Sequence, residues 1–145
     1  MRLQKNTMLA LYAVLDFAGE PERHISAAEI AERYGVSAHH LAKVLAELVR
    51  AGMLDSVRGA GGGYRFTGNV RRLTLMDVIQ LFEDIAPSTA PREGHAPPTP
   101  VELALGQVLT EIDQNARATF KSIALATMLR LVQRRVAADP VAPAA

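Results

Sequence analysis

The chain has 145 residues, of which 49% are hydrophobic, and a formal net charge of +1. This length and balance predict one compact domain, or a small domain with an appendage, and exclude a chain that is disordered throughout. The sequence has no cysteine, which excludes disulfides, thiolate nucleophiles and zinc or iron-sulfur sites built on cysteine.

The first predicted element is a helix near the amino terminus. Its apolar residues recur at three- and four-residue spacing, and Gly19 with Pro21 ends it. The face they define comprises Met8, Leu11, Tyr12, Leu15 and Ala18. Asp16 stands where a signal peptide needs a small-residue cleavage site, and no apolar run approaches the roughly 20 residues of a membrane span. We therefore expect a soluble, cytoplasmic protein.

Two further helices follow at close spacing. Ser26 and Glu29 have the spacing of a capping box, which predicts a second helix from Ala27 that ends at Gly35. Ser37 is the predicted N-cap of a third helix over residues 38–51. The predicted buried stripe of this third helix is Leu41, Val44, Leu45 and Leu48, which leaves His39, His40, Lys43, Glu47 and Arg50 on the other side. The short glycine-containing turn between the two helices predicts a helix-turn-helix.

A hairpin is predicted after the third helix. Residues 53–58 have extended character, residues 59–63 contain four glycines, and residues 64–67 resume an alternating strand pattern. A strand, a loop and a second strand after a helix-turn-helix form a wing. The predicted fold class is therefore mainly α: a winged helix-turn-helix domain with a two-stranded β wing, followed by a long C-terminal dimerisation helix.

The C-terminal half predicts an interaction module. A fourth helix begins at Thr74, and residues 86–100 hold five prolines in 15 residues. The helices that follow expose more apolar residues than a small winged domain can cover, which favours a homodimer. The predicted division is a DNA-binding domain over residues 1–85, a proline-rich loop over 86–100, dimerisation helices over 101–137 and a disordered tail over 138–145.

Charge and residue type favour DNA as the ligand of the first half. Residues 1–72 carry ten Lys or Arg and seven Asp or Glu, whereas residues 73–145 carry six and eight. A helix N-terminus can enter the major groove, and an arginine beside a glycine loop can enter the minor groove. The predicted DNA contacts are Ser37, Ala38, His39, His40, Lys43, Arg58, Gly59, Gly61, Tyr64 and Arg65. The alternatives are a solvated helix face and a plain flexible hairpin.

No catalytic or metal-binding pattern emerges. His39 and His40 are adjacent on a helix and point in different directions, and His95 lies alone in the proline-rich loop. The glycine loop leads into a strand and lacks the Gly-Lys-Ser/Thr of a nucleotide-binding loop. We therefore expect no enzyme activity, no cofactor and no metal. A small-molecule effector is left open.

Three stretches resemble a known family of bacterial regulators, the Rrf2 family. They are Met1–Leu3, residues 30–66 with the string SVRGAGGGY, and residues 73–83, LTLMDVIQLFE. The resemblance implies a dimer in which the third helix enters the major groove and the wing arginine enters the minor groove. It implies DNA contacts for Ser37, His39, His40, Lys43 and Arg58.

The sequence also departs from that family. Cluster-binding members place three cysteines in the loop before the dimer helix, and one branch takes an acidic ligand near the chain start, where this chain has Met8. Three thiolates cannot be replaced by His95. The predicted function is therefore a sequence-specific DNA-binding transcriptional regulator, a dimeric repressor without the family's iron-sulfur cluster. The alternative is a winged-helix module that binds protein and not DNA.

Overall fold

The computed structural model describes residues 1–83 and 96–139, which form six helices and one two-stranded antiparallel sheet. In chain order the elements are α1 (Lys5–Gly19), α2 (Ala27–Tyr34), α3 (Ala38–Arg50), β1 (Leu54–Val57), β2 (Gly63–Phe66), α4 (Leu75–Ile79), α5 (Pro100–Ser122) and α6 (Leu125–Ala138). The mainly helical winged fold is as predicted. Most of the predicted proline-rich loop, with His95, and residues 140–145 of the predicted tail lie outside the described residues.

Helix α1 is the centre of the core, and its buried face overlaps the predicted one only in part: Leu11 and Ala18 are buried as predicted. Ala10, Val14 and Phe17 are fully buried, whereas Tyr12 is 40% exposed and Met8 and Leu15 are half-buried. Apolar residues surround most of α1, so their spacing fits more than one face. The neighbouring helices decide which face is buried.

The N-terminus of α1 is held by Glu83, which lies 79 positions after Gln4 in the sequence. The Glu83 carboxylate accepts hydrogen bonds from the Gln4 backbone N–H at 2.6 Å and from the Thr7 hydroxyl at 2.8 Å. A carboxylate at this end of a helix satisfies free N–H groups and lies favourably in the helix dipole. It also fixes the end of the α4 region against α1.

The α2–α3 unit has a buried apolar interior. Ile30 and Ala31 of α2 are buried, as are all four residues of the predicted α3 stripe, which are Leu41, Val44, Leu45 and Leu48. The Ser26 hydroxyl accepts from the Glu29 N–H at 3.1 Å, as expected for an N-cap. The Glu29 carboxylate, however, pairs with Arg23 at 2.7 Å, which is a contact that the capping-box pattern does not predict.

The two C-terminal helices differ in how they contact the rest of the chain. Helix α5 has no buried residue, whereas α6 returns to the core and buries Leu125 completely. The Leu125 N–H donates to the Leu73 carbonyl at 2.8 Å, and Ala124 forms a β-bridge with Thr74. These contacts fix the C-terminal end of α5 beside α4. No helix in residues 1–83 or 96–139 is long and apolar enough to cross a membrane.

Candidate nucleic-acid interface

The N-terminus of α3 is an exposed and well-defined helix end. The Ser37 hydroxyl accepts a hydrogen bond from the His40 N–H at 3.0 Å, which confirms the predicted N-cap. Ser37, Ala38, His39 and Lys43 are all exposed. The first turn of α3 therefore presents two polar side chains, an imidazole and a hydroxyl, together with free backbone N–H groups that suit an anion such as phosphate.

His40 differs from its neighbour His39. Its side chain is only half-exposed, and its Nε2 atom is buried without a hydrogen-bond partner among the described residues. His40 lies beside Asn6 of α1 and Phe82, which follows α4. The sequence predicts both histidines on the DNA side, because helical spacing alone cannot show that residues 6 and 82 line a cleft with residue 40.

The turn between α2 and α3 depends on Gly35. This residue has a φ of +65° and ψ of 38°, the left-handed conformation of a helix C-cap, and its N–H donates to the Glu32 carbonyl. An added Cβ at Gly35 would meet nothing within 4 Å, so the demand for glycine is conformational and not steric. Gly35 thus sets the direction in which α3 leaves α2.

The wing is a short antiparallel hairpin. Its register pairs Leu54 with Phe66 and Val57 with Gly63, and Arg58 follows directly after β1 as an exposed residue. Gly59 and Gly61 have φ values of +100° and +74°, and an added Cβ at either would meet nothing within 4 Å. Gly59, Ala60 and Gly61 are exposed, so this part of the tip carries no side chain larger than a methyl group, as close approach to a groove requires.

Two residues of β2, Gly63 and the predicted contact residue Tyr64, have structural roles in the wing. Gly63 lies so close to the Ile25 carbonyl that a Cβ would come within 2.6 Å of its oxygen. Tyr64 forms a backbone bridge with Ile25, at 2.8 and 2.9 Å, and its half-buried ring lies 6.2 Å from that of Phe17. The segment at Ile25 acts as a third, one-residue strand beside the wing. This bridge could not be predicted from the sequence, because a single residue has no alternation to detect.

Arg65 is half-buried and faces an acidic neighbour. In the hairpin register it is paired with Asp55, which is exposed. A carboxylate opposite an arginine across a strand pair offsets part of its charge. Arg58 has no such cross-strand partner, because it lies beyond the last pair of the ladder. Arg58 is therefore the stronger candidate for a phosphate or minor-groove contact.

Comparisons with known proteins agree with this architecture. The family model described as Rrf2, iron-dependent transcriptional regulator, matches residues 3–131. The chain is 48% identical over 132 residues to a protein of Rhodopseudomonas palustris named as an HTH-type transcriptional regulator, BadM. That match covers 91% of this chain and 83% of BadM.

Solved structures show the same fold. The T. potens IscR structure is similar with a TM-score of 0.72 and 26% identity, and the match covers 91% of this chain and 88% of that one. The structure of CymR, the global cysteine regulator of B. subtilis, matches with a TM-score of 0.72 at 22% identity, over 90% of this chain and 98% of that one. The helix-turn-helix and wing described above, and the match of a family model over nearly all of its length, place this chain in the Rrf2 family of DNA-binding transcriptional regulators.

Proposed function

We propose that this protein is a dimeric repressor that binds an operator through the N-terminus of α3 and through the wing. The observation that carries the proposal is the pairing of an exposed, Ser37-capped helix end with an unobstructed glycine hairpin that has Arg58 at its base. Helix ends of this kind read base edges in the major groove, while an arginine inserted in the minor groove meets its negative potential. The proposed contacts are Ser37, Ala38, His39, His40, Lys43, Arg58, Gly59, Gly61, Tyr64 and Arg65. The protein acts in the cytoplasm as a regulator and not as an enzyme.

The exposed surface of α5 supports the dimer. Its apolar residues Val101, Leu105, Val108, Leu109 and Ile112 lie along one face of the helix and are each more than 50% exposed. Soluble monomers rarely leave so long an apolar stripe in water, and a second copy of the same helix would cover it. Two paired heads would then contact half-sites separated by about 34–36 Å, or a multiple of that distance.

The family description includes iron, but the donor atoms of this chain do not fit a cysteine-ligated cluster. The sequence has no cysteine and only four histidines. Within residues 1–83 and 96–139, no group of three or more His, Asp or Glu side chains is placed to hold a metal ion. The proposed repressor therefore binds DNA without an iron-sulfur cluster, in contrast to what the resemblance implies for cluster-binding members.

Operator binding by protein prepared in the presence of a chelator tests these proposals. Genomic fragments recovered with the protein would supply the duplex, and affinity would be measured between 50 and 200 mM salt. We expect Arg58→Ala to weaken binding about tenfold and to reduce the salt slope by about 1, because one phosphate or groove contact is lost.

Arg134→Ala is the matched control, since Arg134 is an exposed arginine of α6 far along the chain from the wing. It should leave both the affinity and the salt slope unchanged. Equal affinity of wild type and Arg58→Ala at every salt concentration would contradict the role of the wing. Repression itself would be measured by transcription in vitro from a template that carries the recovered site, where added protein should reduce the transcript.

A further inference from the structure

The chain that leads into α1 is held in place by Glu83. Gln4, the N-cap of α1, makes no capping hydrogen bond with its own side chain, and its backbone N–H donates to the Glu83 carboxylate at 2.6 Å. The buried Thr7 hydroxyl donates to the same carboxylate at 2.8 Å. Leu3 packs against the hydrophobic core. Residues 2–6, the N-terminal segment, therefore have a fixed position relative to α1 and to the end of the α4 region.

The N-terminal segment carries only positive charge. Arg2 and Lys5 are its two charged residues, and the first acidic residue of the chain is Asp16. Both cations are exposed, and neither forms an ion pair with another residue of the described ranges. The carboxylate of Glu83 is occupied by the two hydrogen bonds described above. Arg2 and Lys5 are therefore available to an anionic partner.

The N-terminal segment lies beside the half of α3 that holds the proposed DNA contacts. Asn6, its last residue, lines one cleft together with His40 and Lys43 of α3. A helix that enters the major groove has phosphates on both sides of it, and the first helix of a helix-turn-helix protein crosses the DNA backbone. Cations that lie next to α3 are therefore placed close to phosphates when α3 is in the groove.

The side chains of the segment, and not the end of α1, would make this contact. The backbone N–H of Gln4 is already bonded to Glu83, so it is not free to bind a phosphate. Arg2 and Lys5 have long side chains that extend into solvent, and α1 itself is not the helix proposed to enter the groove. Side chains outside the groove reach phosphates and not base edges, so they add affinity and salt dependence without sequence preference.

We propose that Arg2 and Lys5 bind phosphates of the DNA backbone beside α3, and that Glu83 is the positioning residue that holds them there. The inference rests on the proposed function, because it requires α3 in the major groove. It adds a third element, the N-terminal segment, to the α3 end and the wing. It also makes the end of the α4 region, which carries Glu83, a determinant of DNA affinity.

Removal of the two charges tests the contacts. Full-length Arg2→Gln, Lys5→Gln and the double variant would be titrated with the recovered operator and with an unrelated duplex of the same length, over the same range of salt. We expect each substitution to weaken binding to both duplexes about tenfold and to lower the salt slope by about 1, because each removes one phosphate contact. The ratio of the two affinities should stay unchanged, since phosphates carry no sequence information.

Lys121→Gln and Arg130→Gln are the matched controls, because they remove the same charges from exposed residues of α5 and α6. They should leave the affinity and the salt slope unchanged. An equal loss in these controls would assign the effect to net charge and overturn the proposed contacts. An unchanged salt slope in the Arg2 and Lys5 double variant would overturn them too. Weaker binding to the operator alone would have the same consequence, because it would indicate contact with bases.

The positioning role of Glu83 is tested by alanine and glutamine. Loss of a negative charge by itself should strengthen DNA binding, whereas loss of the fixed position of the segment should weaken it. We expect Glu83→Ala to weaken binding about tenfold and to lower the salt slope by about 1. Glu83→Gln, which retains an oxygen that can accept from the Gln4 N–H, should keep the wild-type slope.

The salt slope separates this role from a purely structural one, because a folding defect lowers the fraction of active protein and leaves the slope unchanged. An unchanged slope, or stronger binding, in Glu83→Ala would overturn the positioning role. If Glu83→Ala does not fold, Thr7→Val tests the same role, since it removes one of the two hydrogen bonds to Glu83 and keeps the volume of the side chain.

Failure of this inference and failure of the proposed function give different results. If Arg58→Ala weakens operator binding and the Arg2 and Lys5 double variant does not, the N-terminal segment is not part of the interface, and the proposed function stands. If the wild-type protein binds no duplex, the proposed function itself is wrong.

Discussion

At the scale of single residues, Tyr34 connects α1 to the helix-turn-helix. Its ring stacks on that of Tyr12 with centroids 4.9 Å apart, and its hydroxyl donates to the Asp16 carboxylate at 2.6 Å. Arg33 pairs with the same carboxylate at 3.1 Å. Burial, and then the hydrogen bond to Asp16, raise the pKa of the Tyr34 hydroxyl well above its ordinary value of 10.

This pKa shift predicts a loss of stability at alkaline pH. In the unfolded chain Tyr34 loses its proton above about pH 10, whereas the folded chain retains it, so the unfolded state binds fewer protons there. The contribution of Tyr34 is therefore fully present below pH 10 and decreases as the pH rises further. Urea unfolding from pH 8 to 11 should give wild type a higher free energy of unfolding than Tyr34→Phe. This difference should decrease above pH 10. A constant difference between the two proteins across that range would contradict the buried hydrogen bond.

At the scale of the elements, the N-cap of α3 combines a structural role with a proposed role in DNA binding. The Ser37 hydroxyl satisfies the His40 N–H, and the same helix end is the proposed entry point into the major groove. A free helix N-terminus frays, and side chains on a frayed turn lose the fixed geometry that base recognition needs. The stability of this one turn thus affects the proposed interface directly.

Replacement of Ser37 tests this cap. We expect Ser37→Ala to lower the free energy of unfolding by about 1 kcal/mol, and Ser37→Gly to lower it by only a few tenths, because glycine is tolerated at N-caps and alanine is not. Urea denaturation at one fixed protein concentration measures both, since association would otherwise alter the apparent stability. Equal stability of the alanine variant and wild type would show that the cap is dispensable.

At the scale of the whole molecule, the proposed dimer depends on the apolar stripe of α5. A helix of 23 residues is about 34 Å long. Along the described part of that helix no residue is buried, which is unusual for so apolar a surface. The long helix therefore contributes little to the core of its own chain and is available to a second one.

A charge in the middle of this stripe should separate the copies. Ile112→Asp, at a residue 56% exposed, would place a carboxylate in the proposed interface and should give a monomer at micromolar concentration with at least tenfold weaker operator binding. Leu131→Asp is the control, because Leu131 is an apolar residue of α6 with a similar exposure of 45%. Sedimentation velocity measures the association state. A wild-type monomer, or an Ile112→Asp dimer, would contradict the proposed assembly.

The sequence by itself determined the elements and the family. The ends of helices are set by residues within a few positions in the sequence, and local spacing therefore predicts them well. Ser37, three positions before His40, and Gly35, in its left-handed turn, are two examples. The buried stripe of α3 was predictable for the same reason, since one face of that helix is apolar and the other is not. The string from Ser56 to Tyr64 carried the resemblance to the family that the comparisons confirm.

Only the tertiary structure determined the contacts between residues that are far apart in the sequence. Packing of other elements against α1 determines which of its faces is buried. The hydrogen bond from the Gln4 N–H to Glu83 and the β-bridge between Tyr64 and Ile25 each join residues far apart in the chain. The partly buried position of His40 in a cleft with Asn6 and Phe82 has the same origin. Periodicity shows only where a residue lies on its own helix or strand. Packing between elements determines that His39 faces solvent and that His40 faces a cleft.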